Sequence, residues 1–248
     1  MNITFAVIIP TKNESQNISR LQSVVRNFDE VIFVDGNSID DTCQQIAKYF
    51  PDAQLVQQQN SNGKGLAIAL GLQSVKSDFS FLLDADLPVS ENEIHRMKLE
   101  IIKNRGVQMI KGSRFLPGGG SEDFTQIRKL GAFVLTKIAN KLLKQNFTEI
   151  CYGFWAIRNE SHTKEIVQEI LRREREIQSG IKLSDIGFRF EFDQYLMFSF
   201  AENNLEIREV PSYELRRTFG TSKLSILRDG MRTLRTIKFF YVRIEGAK

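Results

Sequence analysis

Asp84-Ala85-Asp86 sets two carboxylates directly after the apolar run Phe79 to Leu83. In an extended segment, residues i and i+2 project to the same side, so the two side chains are expected to converge at one edge of a sheet. Adjacent like charges repel unless a cation neutralises them, and carboxylate oxygens suit hard divalent ions, Mg2+ or Mn2+, that also bind phosphates. Taken alone, the triplet fits a metal-diphosphate site and a solvated turn with helix-capping acids equally well.

Three other polar clusters share its setting: Pro10-Thr11-Lys12-Asn13-Glu14, Val34-Asp35-Gly36-Asn37-Ser38 and Asn62-Gly63-Lys64-Gly65. Asp35 is suited to accept hydrogen bonds from a base N–H or a ribose hydroxyl. Gly63 and Gly65 would let the backbone approach a diphosphate, with Lys64 adding charge. No G-x-G-x-x-G follows the first strand-like run and no G-x-x-x-x-G-K-[ST] occurs, which sets aside the dehydrogenase and P-loop classes.

These clusters need a frame to bring them together. Phe5 to Pro10, Val31 to Asp35, Ala53 to Val56 and Phe79 to Leu83 are short apolar or β-rich runs, typical of parallel strands covered on both faces. Between them Ile18, Leu21, Val24 and Val25 recur at helical spacing, as do Leu66, Ala69 and Leu70, while Ser38 or Asp40 can cap a helix running to Tyr49. The alternation predicts an α/β fold with a mostly parallel, doubly wound sheet and helices on both faces, its ligand crevice at the C-terminal strand ends.

From about Val107 the pattern changes. It predicts a strand to Lys111, a Gly-rich loop at Gly118 to Gly120, and helices over about Asp123 to Gln145, Asn159 to Ile177 and through Tyr195 and Phe200. The strand Leu205 to Val210 closes at Pro211. Arg172, Arg173 and Arg175 alternate with Glu174 and Glu176, the pattern of a solvated helix face. His95 and His162 have no ligand spacing, Cys43 and Cys151 no paired framework, and Trp155 reads as a core residue.

At 248 residues with 42% hydrophobic content, the chain is long enough for a sizeable core. A net charge of +4 favours an anionic partner. No recognised nucleic-acid motif or aromatic platform accompanies the arginines, so nucleic acid is not the expected partner. The N-terminal residues lack a signal-peptide pattern, and no stretch approaches the ~20 apolar residues that cross a bilayer. The expectation is a cytoplasmic location, either free or peripheral at the inner face of a membrane.

The segments VIIPTKNESQNI, VDGNSIDDT, NGKGLAIALGL, LLDADLP and KGSRF stand in the order and spacing of family 2 glycosyltransferases of the GT-A (nucleotide-diphospho-sugar transferase) fold. Cys151-Tyr152-Gly153-Phe154, Glu209-Val210-Pro211 and Arg217-Thr218-Phe219-Gly220-Thr221-Ser222-Lys223 extend the likeness, which most resembles the dolichol-phosphate mannose synthase branch.

The resemblance implies a domain over 1–222, with a donor half to about 112 and an acceptor half from about 113, and the residues of 223–248 read as a basic amphipathic helix after it. It implies that Pro10, Thr11, Asn13, Glu14 and Asp35 hold the nucleoside, with Lys64 and Ala85 also at the donor. Asp84 and Asp86 would hold the ribose and metal, and Arg114, Arg128, Arg217, Ser222 and Lys223 the acceptor phosphate. Two positions depart from the branch: Pro88 stands where many synthases have glutamine, and Glu149 where aspartate is usual.

The expected reaction is an inverting transfer from a UDP- or GDP-linked sugar. A polyprenyl-phosphate acceptor is already anionic and needs arginines rather than a strong base. A saccharide hydroxyl would need a carboxylate to take its proton, and Glu191 and Asp193 are the candidates, completing with Asp86 and Arg114 the expected catalytic set. A nucleotidyltransferase or a non-catalytic nucleotide-sugar binding module are readings from other classes. Leu224, Leu227, Met231, Leu234 and Ile237 form one stripe of the last helix and Arg228, Arg232 and Arg235 another, a pattern equally suited to lying on an anionic membrane and to packing on the domain.

Overall fold

Continuous apolar runs form the middle of the sheet. A computed structural model of the chain describes residues 2–59, 63–220 and 225–246. Its strands are β1 (Phe5–Thr11), β2 (Glu30–Asp35), β3 (Gln54–Gln57), β4 (Phe79–Leu82), β5 (Met109–Ser113), β6 (Gly120–Ser121), β7 (Trp155–Arg158), β8 (Ile207–Pro211) and β9 (Tyr213–Glu214). Its helices are α1 (Ser15–Ile18), α2 (Gln22–Val25), α3 (Thr42–Tyr49), α4 (Lys64–Ser74), α5 (Glu91–Lys103), α6 (Gln126–Leu143), α7 (Ser161–Gln178), α8 (Phe192–Glu202) and α9 (Ile226–Gly246).

The large sheet runs in the order β3-β2-β1-β4-β7-β5-β8, and β6 pairs separately with β9. All its neighbours are parallel except those of β7, which runs antiparallel to β4 and β5. The predicted mostly parallel sheet is therefore present. The sequence reading did not separate β7 from its surroundings, because four residues after a glycine are too short to show a period.

Alternation along β1 divides the core. Ile8 faces one side with Val34, Leu66, Ile170, Phe198 and Phe240, whereas Val7 and Ile9 face the other with Phe33, Phe81, Met97 and Ile101. Burying each such side chain contributes about 1.5–3 kcal/mol, so both helical layers are held to the sheet.

Two helices of the second half frame the strand ends. At α6, Thr125 Oγ1 accepts the Arg128 N–H at 3.3 Å and starts the helix. The last helix, α9, packs on α6 and α8 and buries Thr233, Thr236, Ile237 and Phe240. The expected apolar stripe divides accordingly: Ile237 enters the core, Leu227, Met231 and Leu234 remain 82%, 57% and 42% exposed, and Leu224 lies outside the described residues. Among the described residues no helix is long and apolar enough to cross a membrane.

Candidate active site

The Asp84-Ala85-Asp86 segment leaves the sheet before its carboxylates converge. β4 ends at Leu82, the Asp84 carbonyl accepts the Leu87 N–H at 3.1 Å, and Leu87 takes a left-handed φ of 56°. A tight turn replaces the expected extended alternation, and it brings both side chains to the same cavity.

Each aspartate meets a cation of the chain. Lys64 Nζ lies 2.7 Å from Asp84 Oδ1, and Arg217 Nη2 lies 2.6 Å from Asp86 Oδ2. Burial, reinforced by the Asp84 charge, pushes the Asp86 carboxyl up to about 6 despite Arg217 and Lys64. For Lys64, burial works to lower the ammonium pKa, but Asp84, Asp193 and Asp86 outweigh it and hold the group above its ordinary value.

Close backbone approach explains the glycines around Lys64. A Cβ on Gly65 would lie 2.2 Å from the Gly187 carbonyl oxygen, so the start of α4 packs directly on the segment before α8. This corrects the expectation that Gly65 makes room for a diphosphate. Across the cavity, a Cβ on Gly153 would lie 2.8 Å from Asp193 Oδ2 and 3.5 Å from Lys64 Nζ. Gly153 thus lets Asp193 and Lys64 share one corner. Asp193 also accepts the Trp155 indole N–H at 2.8 Å, and burial raises its pKa against the opposing charge of Lys64. Trp155 is fully buried, as expected of a core residue.

Around a cavity of about 490 Å³ the fold gathers Pro10, Thr11, Glu14, Lys64, Asp84, Ala85, Asp86, Arg114, Arg128, Glu191, Asp193 and Arg217. Two predicted donor residues do not line it, Asp35 being buried and Asn13 exposed to solvent. Asp35 is 1% exposed and accepts hydrogen bonds from the Ser38 N–H at 2.9 Å and the Ser38 hydroxyl at 2.5 Å, while Asn13 accepts the Ile39 N–H at 2.9 Å. They brace the loops after β1 and β2 and do not line the cavity. Ser222 and Lys223 lie outside the described residues.

On the acceptor side Arg114 is held on every edge. Glu149, fully buried, accepts its backbone N–H at 2.8 Å and its Nε at 2.9 Å, and Glu214 accepts Nη1 at 2.8 Å. The guanidinium carbon sits 3.8 Å from the Phe124 ring centre and 4.6 Å from that of Tyr152. Glu149, read from sequence only as a departure, is therefore the clamp on Arg114. Arg128 is looser, with Nη1 3.0 Å from the Asp123 carboxylate.

Other cavity residues carried no sequence signal. Phe124, Glu214, Asp229 and Gly230 come from segments without motif character, and their relevance emerges only from packing. Lys111 is fully buried below the site, and burial lowers its pKa against the pull of Glu149 and Glu209. Cys151 also reaches the cavity, and burial pushes its thiol up to about 12.

The donor set fits a divalent cation. Asp84 and Asp86 both line the cavity and offer it hard carboxylate oxygens. No group of three or more His, Cys, Asp or Glu ligands occurs among the described residues, so a six-oxygen shell would need phosphate and water oxygens as well. Pro88 lines the cavity and brings no side-chain oxygen to it.

Known proteins share both sequence and fold with this chain. It is 28% identical over 230 residues to a dolichol-phosphate mannosyltransferase of Pyrococcus furiosus, covering 88% of this chain and 58% of that protein. It is 28% identical over 234 residues to a polyprenol monophosphomannose synthase of Mycolicibacterium smegmatis, covering 88% and 80% respectively. The chain thus spans little more than half the length of the Pyrococcus relative.

Among solved structures, glucosyl-3-phosphoglycerate synthase from Mycobacterium tuberculosis, in complex with Mn2+, uridine diphosphate and glucosyl-3-phosphoglycerate, aligns with a TM-score of 0.66 at 16% identity. The alignment covers 99% of this chain and 81% of that one. The architecture is the GT-A fold expected from the sequence. The sequence profile described as Glycosyl transferase family 2 matches residues 6–165, from β1 through the aspartate turn into α7, and on that match the chain belongs to glycosyl transferase family 2.

Proposed function

We propose that this chain is a metal-dependent inverting glycosyltransferase that moves a sugar from a UDP- or GDP-linked donor to a polyprenyl phosphate. The observation that carries this reading is the single cavity joining the Asp84–Asp86 turn to the groove between α6 and α9. The names of the Pyrococcus and Mycolicibacterium relatives support the acceptor class.

Pro10, Thr11 and Glu14 lie where the nucleoside of the donor would enter, and Asp84 and Asp86 would hold Mg2+ or Mn2+ beside its diphosphate. When bound, the ion supplies positive charge against the charge building on the departing nucleoside diphosphate. Lys64 adds a fixed ammonium at the same point, and the cavity holds donor and acceptor in line.

A phosphate acceptor arrives anionic, so the chain has to attract and orient it without removing a proton. Arg128 and Arg217 are assigned that task, with Ser222 and Lys223 following Arg217 in sequence. Arg114 has its charge balanced by Glu149 and Glu214 and acts by fixing the wall built from Phe124 and Tyr152.

The outer surfaces of α6 and α9 suit a lipid acceptor. Ile127 and Leu130 on α6 are 69% and 64% exposed, Leu227 and Met231 of α9 are exposed as well, and the two helices pack on each other. The two helices also carry Lys129, Lys137, Arg228 and Arg235, so an anionic bilayer matches both the apolar and the charged parts of this face.

A second reading takes a saccharide hydroxyl as acceptor. The buried carboxylates Glu191 and Asp193 in the cavity wall favour it, since one of them could take the proton. Product partition between water and organic solvent separates the two.

Thermal melting with UDP-glucose, UDP-GlcNAc and GDP-mannose, with and without Mn2+, tests the donor assignment. One nucleotide sugar is expected to raise Tm, and to do so only with the metal. No shift with any of them would contradict the reading.

A further inference from the structure

Gln58 follows β3 in a segment without motif character, and it is 3% exposed yet lines the cavity. Its backbone N–H donates to the Asp35 carbonyl at 2.9 Å, and its Nε2 donates to the Gly63 carbonyl at 3.3 Å. A carbonyl can only accept, so the amide is held with its nitrogen toward Gly63 and its oxygen the other way. Oε1 lies 3.5 Å from the point where a Cβ on Gly36 would stand, a point also 3.4 Å from the Thr11 carbonyl oxygen and 3.6 Å from Lys12 Cβ. Gly36, Thr11 and Lys12 all line the cavity with it. No donor among the described residues reaches Oε1, and the atom is not sealed from solvent. An acceptor fixed in direction and open to a cavity gains a partner when a ligand brings an N–H or O–H to it.

Strand order narrows which part of a ligand that is. The sheet runs β3-β2-β1-β4, and the Asp84–Asp86 turn follows β4. Gln58 thus stands three strand spacings, about 14 Å, from β4, with the ends of β2 and β1 between. Arg114, on the acceptor wall, follows β5 on the opposite flank of β4. A sugar passing from the diphosphate to the acceptor sits on the Arg114 side of the turn, which leaves the Gln58 side to the nucleoside. We propose that Gln58 Oε1 reads the base of the donor, accepting the ring N–H that uracil carries at N3 and guanine at N1 and that cytosine and adenine lack. The proposal rests on the nucleotide-sugar reading above. It gives Gln58 the base contact expected of Asp35, whose oxygens are turned to Ser38.

Two variants separate this contact from a bracing role. Gln58→Met keeps the length of the side chain and replaces the amide oxygen by a thioether that accepts only weakly. Gly36→Ala leaves Gln58 intact. The Gly36 backbone is not in the left-handed region and the new methyl meets its neighbours at ordinary contact distance, so the fold tolerates it while the methyl stands against Oε1. A site that hydrogen-bonds a ligand N–H discriminates strongly against the analogue without it, because the buried acceptor is then left unpaired.

The test is isothermal titration of the full chain with Mn2+, using UDP against CDP, and GDP and inosine diphosphate against ADP. Within each set the bases are of like size, and the ring N–H is present in the first-named and absent from the last. Wild type is expected to prefer UDP over CDP, or GDP and inosine diphosphate over ADP, by roughly tenfold or more. In Gln58→Met that preference should shrink by about tenfold through weaker binding of the N–H base, while CDP or ADP binds as before. Gly36→Ala should weaken the preferred nucleotide by a similar factor at unchanged Tm.

A preference that survives in Gln58→Met overturns the proposal. So does a loss shared equally by all the diphosphates in that variant, which would mark Gln58 as a brace between β3 and α4. Should Gln58→Met not melt cooperatively, Gly36→Ala decides, and wild-type affinity for the preferred nucleotide in it overturns the proposal. Wild type that binds all the diphosphates alike sinks this inference alone, whereas wild type that binds none sinks the nucleotide-sugar reading with it.

Discussion

Arg217 reaches back to Asp86, with Nη2 2.6 Å from Oδ2, and so joins the segment after β9 to the turn after β4. The same carboxylate is the one assigned to a divalent cation. On that assignment cation and guanidinium would compete for Asp86, and a bound ion would leave Arg217 to turn toward phosphate oxygens in the cavity.

Arg217→Gln is accordingly expected to tighten Mn2+ binding to the nucleotide-free protein by about fivefold, the effect of removing a partly exposed ion pair worth roughly 1 kcal/mol. Turnover should fall in the same variant, because the released guanidinium is lost. Titration of Mn2+ followed by electron paramagnetic resonance reads the first effect. Weaker metal binding in the variant would contradict the competition.

Arg114 is predicted to matter first for stability. Its loss in Arg114→Ala leaves the fully buried Glu149 without its cation, a change that costs about 3–5 kcal/mol. The unfolding free energy from urea titration should drop by that amount at unchanged m, and Arg114→Ala/Glu149→Ala should lose less than the two single variants summed. An unfolding free energy within about 1 kcal/mol of wild type, the worth of an exposed pair, would show that the clamp is not structural.

β1, β2 and β4 were legible because buried parallel strands are nearly continuous apolar runs, and the polar residues that follow them fell at the crevice. The clamp was not legible, since Arg114, Glu149 and Glu214 are distant in sequence and only the sheet order brings them together. Asp35 misled for a related reason. Its type and place suit a ligand contact, but the Ser38 side chain and backbone turn both its oxygens inward. The last helix shows the same limit: its period predicted a helix correctly, yet only packing against α6 and α8 decided which stripe faces out.

Gly153→Ala tests whether the corner shared by Asp193 and Lys64 needs an empty position. The added methyl would press on Asp193 Oδ2 at 2.8 Å, so the carboxylate must shift. Overpacking of this kind costs about 1–3 kcal/mol, and turnover should fall at least tenfold in protein that still melts cooperatively. Wild-type turnover in this variant would show that the corner tolerates the methyl without consequence.

Membrane contact is predicted to depend on both outer helices. Leu130→Glu and Leu227→Glu change exposed residues outside the cavity wall. Each should reduce co-sedimentation with vesicles containing anionic phospholipid, together by tenfold or more, given a transfer cost of about 25 cal/mol per Å² of apolar surface plus added charge repulsion. Transfer to a water-soluble short-chain acceptor phosphate should persist. Equal co-sedimentation of wild type and the double variant would remove this face from the account.

Sugar transfer from a nucleotide to a lipid phosphate at the Asp84–Asp86 turn is tested most directly by incubating the protein with Mn2+, polyprenyl phosphate and radiolabelled UDP-glucose, UDP-GlcNAc or GDP-mannose, followed by extraction into organic solvent. Label from one donor should enter the organic phase, depend on Mn2+, and fall by on the order of 10²-fold or more in Asp86→Asn. Label confined to water-soluble product, or lipid-linked label undiminished in Asp86→Asn, would contradict it.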